Sequence, residues 1–205
     1  MNVLASVVTC GARSDYCAAQ RATWVSYARW ATVRFFLAEQ PRDPLPDEIF
    51  LPCRDGYESL PEKVREVNRW ALTHNFDKLL KLDDDIVMFP SRVTIPTCDY
   101  MGWSHDLASN WCSGLAYWLS RESMEAVAEA DLTDQPSEDR WTGSVLLKAG
   151  IKLQPFRYGA VKWLGQRRRS NPKLEPLPRN LAHELRYTFV AGEFLPEEMA
   201  LAYMG

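Results

Sequence analysis

Three consecutive aspartates, Asp83, Asp84 and Asp85, follow an apolar segment of the chain. Residues 76–82 are predicted to form a buried strand, and successive side chains of a strand point to opposite faces. Asp83 and Asp85 should therefore lie on one side, with Asp84 on the other. Two neighbouring carboxylates are oxygen ligands of the kind that bind Mg²⁺ or Mn²⁺ together with a diphosphate. The alternative is an acidic turn that is only solvated.

Strands and helices alternate in the first half of the predicted structure, which favours βαβ units and a mainly parallel sheet. Strands are predicted at 3–9, 32–37, 48–51 and 76–82, with helices at 16–27 after Ser14 as N-cap and at 59–74. Short apolar segments at 86–89, 99–103 and 115–119 follow, then a helix after Ser120 through Ala130, a helix at 141–149 and a possible strand at 151–156. The predicted fold class is α/β, with a mixed, mainly parallel central sheet flanked by helices. Ligands are expected beyond the carboxyl ends of its strands, where the aspartates lie.

The length of 205 residues and the hydrophobic content of 46% allow one substantial core. We therefore predict a single domain over residues 1–205, with a basic, less recognisable part from about residue 157. Five cysteines without a Cys-x-x-Cys pair are expected to be reduced thiols. Because no segment is typical of a signal peptide or a membrane span, the sequence predicts a cytoplasmic protein.

Basic residues are concentrated in the last third of the chain, although the net charge of the whole chain is -3. Residues 157–186 contain eight Lys or Arg and two Glu, a local net charge of +6. This window could contact an anionic partner, or it could be an exposed loop whose charges are merely solvated.

Five segments carry distinctive residue types in a fixed order. They are Arg21-Ala22-Thr23-Trp24, Asp55 to Leu60 followed by Lys63, Leu80 to Ile86, Trp111 to Ser120, and Glu138 to Gly143. Together these segments resemble motifs of the inverting glycosyltransferases of the β-1,3-galactosyltransferase and Fringe type, glycosyltransferase family 31. The resemblance implies a GT-A fold, which is Rossmann-like and binds a nucleotide sugar. It also implies transfer of a sugar, with inversion, from a UDP-sugar to an acceptor hydroxyl with the help of Mn²⁺ or Mg²⁺.

The resemblance also assigns roles to individual residues. Asp85 is expected to coordinate the metal directly, and Asp83 to contact the nucleotide ribose or a metal-bound water. The family commonly has a late His as a third metal ligand, and His183 is the candidate here; the alternative is that this lone His is an ordinary surface or satisfied residue. Asp139 is expected to be the base that deprotonates the acceptor hydroxyl.

Further residues are candidates for the donor and acceptor pockets. Thr9, Cys10 and Arg13 follow the first strand, where this fold receives the nucleotide, and Lys63 belongs to the second motif. Arg167 could neutralise the diphosphate. The remaining pocket candidates are Trp111, Gly114, Glu138 and Trp141.

The acceptor is left open by the sequence. It could be a glycan or a lipid head group. It could also be a hydroxymethylated base in phage DNA, which the basic window at residues 157–186 suggests. Two other classes of function are a metal-dependent hydrolase of nucleotide sugars or glycosides and a catalytically silent sugar-binding module.

Overall fold

A seven-stranded mixed sheet is the centre of the fold. The computed structural model describes residues 1–104, 110–132, 137–156, 161–163, 188–192 and 194–204. Its strands are β1 (Val3–Val8), β2 (Thr32–Ala38), β3 (Glu48–Leu51), β4 (Lys78–Asp83), β5 (Ile86–Met88), β6 (Tyr100–Gly102), β7 (Ala116–Ser120), β8 (Gln154–Pro155), β9 (Val161–Trp163) and β10 (Val190–Gly192). The order in the large sheet is β3-β2-β1-β4-β7-β6-β8.

The first four strands of that order are parallel, and the remaining pairings make the sheet mixed. β7 runs antiparallel to both β4 and β6, while β8 is parallel to β6. A smaller sheet has the order β5-β10-β9, in which β10 is antiparallel to β5 and parallel to β9. This architecture confirms the predicted α/β class with a mainly parallel central sheet.

Helices cover both faces of the large sheet. They are α1 (Ser14–Ala22), α2 (Leu60–Thr73), α3 (Arg121–Glu129), α4 (Glu138–Lys148) and α5 (Pro196–Met204). One apolar cluster joins α2, α3 and α4 to one face of the sheet, and a second cluster covers the other face, where α1 packs. None of these described helices combines the length and apolar character needed to cross a membrane.

Strand β1 shows why its sequence is apolar without alternation. Val3, Ala5 and Val7 pack in the cluster on the α1 face, whereas Leu4 and Val8 pack in the cluster on the α2 face. A parallel strand that is buried on both faces needs apolar residues at every position. The continuous apolar run at the start of the chain is therefore the signature of a central strand.

Helix boundaries and caps differ from the predicted ones in four places. Ser14 was predicted to be the N-cap of α1, but it is the first residue of the helix, and Arg13 is at the N-cap position without a side-chain cap. α1 ends at Ala22, five residues before the predicted end. Ser59 holds the predicted N-cap position of α2, but it is also the last residue of a 3₁₀ turn (Tyr57–Ser59) and its side chain makes no capping hydrogen bond. α4 begins at Glu138 rather than Trp141. The last difference places Glu138 and Asp139 in the first turn of a helix.

Ser120 caps α3 as predicted, because its hydroxyl accepts a hydrogen bond of 3.2 Å from the Ser123 N–H. Ser120→Ala should lower the free energy of unfolding by about 1 kcal/mol. Urea denaturation measures this change. Ser59→Ala is the matched control and should have a much smaller effect, because Ser59 precedes α2 without a side-chain cap.

Candidate active site

The three aspartates form a turn, here called the acidic turn (Asp83–Asp85), that links β4 to β5. Asp83 is the last residue of β4, and Asp84 and Asp85 make the turn itself. Because β1 and β4 are parallel neighbours, Val8 pairs with Asp83 and the residue after β1 lies beside the turn. The acidic turn thus lies at the carboxyl end of the central strands, as predicted.

Asp84 is buried and held by hydrogen bonds, and the Arg13 guanidinium that contacts it also lies 3.8 Å from Asp85 Oδ2. Its Oδ2 accepts from the Thr9 hydroxyl at 2.7 Å and from Arg13 Nε at 2.8 Å, and Arg13 Nη2 lies 2.7 Å from Oδ1. Burial raises the pKa of Asp84, and the guanidinium of Arg13 opposes that shift. Asp84 is therefore an anchor of the turn, while Asp83 and Asp85 face the cleft.

Two adjacent cavities form one cleft above the acidic turn and share the walls made by Tyr57, Leu60, Asp83 and Asp85. The β1-side pocket has a volume of about 320 Å³ and is also lined by Val8, Thr9, Cys10, Arg13, Asp55, Gly56, Lys63 and Asp84. The α4-side pocket has a volume of about 280 Å³ and is also lined by Lys81, Ser113, Gly114, Leu115, Ser137, Glu138 and Asp139. Asp83 and Asp85 therefore face both pockets.

An ion pair between Lys63 and Asp55 braces the β1-side pocket. The Lys63 ammonium is buried and donates to Asp55 Oδ1 at 2.5 Å and to the Thr9 carbonyl at 2.6 Å. Asp55 also accepts from the backbone N–H groups of Gly11 and Ala38. Burial alone would raise the pKa of Asp55, but these donors outweigh it and the pKa is lowered.

The lowered pKa of Asp55 predicts a pH-dependent stability. The contribution of the ionised carboxylate is present above the unfolded-state pKa of about 3.9 and is lost as the pH falls through the lower folded-state pKa. Asp55→Asn should cost about 1.5–3 kcal/mol at pH 7, and this difference from the wild type should shrink below about pH 4. Thermal unfolding from pH 7 to pH 3 tests this, with the exposed Asp43→Asn as a control that should change little at any pH.

Lys81 connects the acidic turn to α4 across the α4-side pocket. Its buried ammonium donates to Asp83 Oδ1 at 2.5 Å and to the Gly114 carbonyl at 2.6 Å, and lies 3.3 Å from Glu138 Oε2. Burial lowers the pKa of Lys81, but the two carboxylates outweigh burial and the net shift is upward. Lys81 thus stays charged and neutralises part of an acidic wall.

Glu138 is buried at the start of α4 and is held by polar partners. Its Oε1 accepts hydrogen bonds from the Tyr117 hydroxyl and, at 3.0 Å, from the Thr142 hydroxyl. Burial raises the pKa of Glu138 against the attraction of Lys81. These contacts fix the first turn of α4, and with it the neighbouring Asp139, which also lines the pocket.

The side chains of the acidic turn fit a divalent cation only in part. Asp83 and Asp85 present carboxylates to the same cleft, with exposed side-chain fractions of 40% and 27%. Among the described residues, no group of three or more His, Cys, Asp or Glu side chains is arranged to hold a metal ion. A cation here would therefore need oxygen ligands from a bound phosphate in addition to the two carboxylates.

Most of the predicted site residues lie together in this cleft. Thr9, Cys10, Arg13, Lys63 and Asp83 line the β1-side pocket, and Gly114, Glu138, Asp139, Asp83 and Asp85 line the α4-side pocket. Arg167 and His183 lie outside the described residues.

The structure corrects the placement of the two tryptophans. Trp141 is fully buried in the apolar cluster under α4, and its indole N–H donates to the Asp131 carbonyl at 3.2 Å. Trp111 packs beside Arg140, whose guanidinium lies 5.1 Å from the ring centroid. Neither side chain lines the two pockets. At the start of α4, Glu138 and Asp139 line the cleft, whereas Trp141 packs in the apolar cluster.

Two residues of the cleft were missed as functional candidates. Lys81 was identifiable in principle, because a lysine inside an apolar strand needs a buried partner. Tyr57 is 72% exposed and forms a wall shared by both pockets. No pattern of hydrophobicity distinguishes such an exposed tyrosine from an ordinary surface residue.

The structure resembles solved glycosyltransferases. It matches the crystal structure of a glycosyltransferase involved in the glycosylation of the major capsid of PBCV-1, with a TM-score of 0.60, 11% identity and coverage of 100% of both chains. It also matches the catalytic domain of Drosophila beta1,4galactosyltransferase 7 in complex with xylobiose, with a TM-score of 0.49, 11% identity, and coverage of 77% of this chain and 66% of that chain. No protein-family model matches the sequence, and no curated protein matches it.

The chain therefore has the fold of a glycosyltransferase, as the first of these two structures shows over its whole length. Its assignment to the β-1,3-galactosyltransferase and Fringe type stays a prediction from the sequence motifs.

Proposed function

We propose that this protein is a metal-dependent inverting glycosyltransferase that uses a nucleotide-sugar donor, with a UDP-sugar as the first candidate. The observation that carries the proposal is the arrangement of carboxylates in one cleft. Asp83 and Asp85 lie between the two pockets, and Asp139 lines the α4-side pocket at the start of α4. Inverting transfer needs charge stabilisation for the leaving diphosphate, which a cation at Asp83 and Asp85 would supply, and a separate base for the acceptor.

The β1-side pocket suits the nucleoside diphosphate. It lies at the carboxyl ends of parallel strands, where α/β folds bind nucleotides. Arg13 lines this pocket and can contact a phosphate oxygen without leaving its ion pair with Asp84. Thr9 and Lys63 serve mainly to hold the pocket together, because their polar groups already bond to Asp84 and Asp55.

A divalent cation bound by Asp83 and Asp85 would supply a positive charge for the leaving diphosphate. Asp85 is the proposed direct ligand, and Asp83 the partner on the nucleotide side. Asp139 accepts the proton from the acceptor hydroxyl, and burial of Glu138 beside it keeps the first turn of α4 in place.

The charge of the α4-side pocket favours an uncharged acceptor. Four carboxylates and a single ammonium, that of Lys81, line this pocket. The proposed cation would offset Asp83 and Asp85 but not Asp139, which disfavours a polyanion such as DNA at the α4 side of the pocket and does not disfavour a sugar hydroxyl of a glycan or glycolipid. We therefore rank a glycan or lipid acceptor above a hydroxymethylated DNA base. The positive charge of residues 157–186 was the reason for considering the DNA base.

A panel of nucleotide sugars, each tested with and without Mn²⁺, tests the donor assignment. The cognate donor should raise the melting temperature only when the metal is present, because ligands that bind the native state stabilise it. Mass spectrometry of reactions with oligosaccharide, lipid and hydroxymethylcytosine DNA acceptors then detects transfer. Release of free sugar at a rate independent of acceptor would instead favour the hydrolase, and donor binding without turnover would favour the silent module.

A further inference from the structure

Gln20 is a buried residue of α1 that contacts the backbone of the acidic turn. Its side-chain Nε2 lies 2.7 Å from the Asp84 carbonyl oxygen, 3.2 Å from that of Asp83 and 3.4 Å from that of Ile86. Gln20 itself is 0% exposed. An amide has two N–H groups, so the two shorter contacts can both be full hydrogen bonds. The carbonyls of Asp83 and Asp84 therefore receive hydrogen bonds from a side chain more than sixty residues earlier, while the Asp85 carbonyl accepts from the Phe194 N–H at 2.9 Å.

The contacts of Gln20 fix the directions of the aspartate side chains. Each peptide unit is planar, so a carbonyl held in one orientation also sets the plane that links its residue to the next. Holding the carbonyls of Asp83 and Asp84 fixes the planes on both sides of Asp84. The directions in which Asp83 and Asp85 leave the backbone towards the cleft follow from those two planes.

One face of α1 supports the acidic turn from several positions. Cys17 and Gln20 are three residues apart and lie on the same side of α1, and Arg13 immediately precedes the helix at its N-cap position. Arg13 donates to the Asp84 carboxylate. The Thr9 hydroxyl also donates to the Asp84 carboxylate and in turn lies 3.4 Å from Cys17 Sγ. The helix thus holds both the backbone of the turn and its central side chain.

We propose that Gln20 is a positioning residue that holds Asp83 and Asp85 in the arrangement needed to bind a cation and a diphosphate. The effect on binding of a cation and a diphosphate rests on the proposed function. The support of the acidic turn by Gln20 does not. Gln20 lies outside the sequence segments that resemble the glycosyltransferase motifs, and it lines neither of the two pockets. Without its amide, the carbonyls of Asp83 and Asp84 lose this donor and the backbone on both sides of Asp84 is held less firmly, although Lys81 still contacts the Asp83 carboxylate.

Hydrogen–deuterium exchange of the segment 82–88 tests the structural part of this inference. Gln20→Met keeps the length of the side chain and removes its donor. The segment should exchange about tenfold faster in this variant, the factor that corresponds to the loss of about one hydrogen bond. Asn68→Leu is the matched control, because Asn68 is equally buried and donates to Val64 within α2 at 2.8 Å. It should leave exchange at 82–88 unchanged.

The Mn²⁺ dependence of the same two variants tests the functional part. In Gln20→Met the half-saturating Mn²⁺ concentration should rise about tenfold, while kcat at saturating metal and donor stays within about threefold of the wild type. Asn68→Leu should change neither value. If Gln20→Met does not fold, Gln20→Asn, which keeps an amide of shorter reach, takes its place with the same expectations.

Two results overturn the inference. One is exchange at 82–88 that is no faster in the Gln20 variant than in Asn68→Leu. The other is faster exchange with an unchanged requirement for Mn²⁺, since the turn would then not depend on Gln20 for its function. Absence of any transfer by the wild-type protein contradicts the proposed function alone, because hydrogen exchange still decides whether Gln20 holds the turn.

Discussion

Asp139→Asn should lower the turnover of glycosyl transfer by about 10²- to 10⁴-fold, the range typical of a positioned general base. Asparagine has nearly the same shape but cannot accept the proton of the acceptor hydroxyl at neutral pH. Asp139 lines the α4-side pocket, whereas the proposed nucleotide contacts lie in the β1-side pocket. Donor binding should therefore remain close to that of the wild type.

Initial rates with saturating donor and acceptor measure the loss of turnover, and thermal stabilisation by UDP with Mn²⁺ measures donor binding. Asp99→Asn is a control, because Asp99 is exposed and lines neither pocket. It should retain the wild-type rate. Loss of nucleotide binding in Asp139→Asn, or turnover within a few-fold of the wild type, would contradict the assignment of Asp139 as the base.

Lys81→Met should lower the free energy of unfolding by about 3–5 kcal/mol, the range observed when one partner of a buried ion pair is removed. The ammonium of Lys81 and the carboxylate of Glu138 are both almost completely buried, with side chains 3% and 4% exposed. Removing the ammonium leaves Glu138 without its counter-charge and removes a donor from Asp83 and from the Gly114 carbonyl.

Chemical denaturation measures this loss, and Lys78→Met is the matched control on the same strand. Lys78 donates to the Cys98 carbonyl at 2.5 Å and has no carboxylate among its described hydrogen-bond and ion-pair partners, so its replacement should cost only about 1 kcal/mol. Adding Glu138→Gln to Lys81→Met should recover part of the lost stability, because it removes the unpaired charge. Equal costs for Lys81→Met and Lys78→Met would rule out this account of the ion pair.

Much of the fold follows from hydrophobic patterns in the sequence. The continuous apolar run of β1 indicates a strand buried on both faces. The spacing of Val64, Val67 and Ala71 indicates that α2 is an amphipathic helix. The greater burial of Asp84 relative to Asp83 and Asp85 could not be derived from strand alternation, because Asp84 and Asp85 lie in a turn rather than in a continuing strand.

The parts of the site that the sequence did not predict depend on contacts between distant segments. Gln20 bonds to backbone carbonyls, which carry no side-chain pattern that a sequence could display. The inward position of Trp141 depends on the start of α4 three residues earlier than predicted, and helix ends are the least regular part of such patterns. The role of Lys81 depends on Glu138, which only the folded chain brings beside it.

The anomeric configuration of the first product, followed by NMR in reactions with the cognate nucleotide sugar and Mn²⁺, decides whether the protein is a metal-dependent inverting glycosyltransferase. One-step transfer with Asp139 as base predicts a product with the configuration opposite to that of the donor, and predicts that removal of Mn²⁺ by EDTA stops the reaction. A product that retains the donor configuration, or a rate that EDTA does not change, would contradict the proposed mechanism.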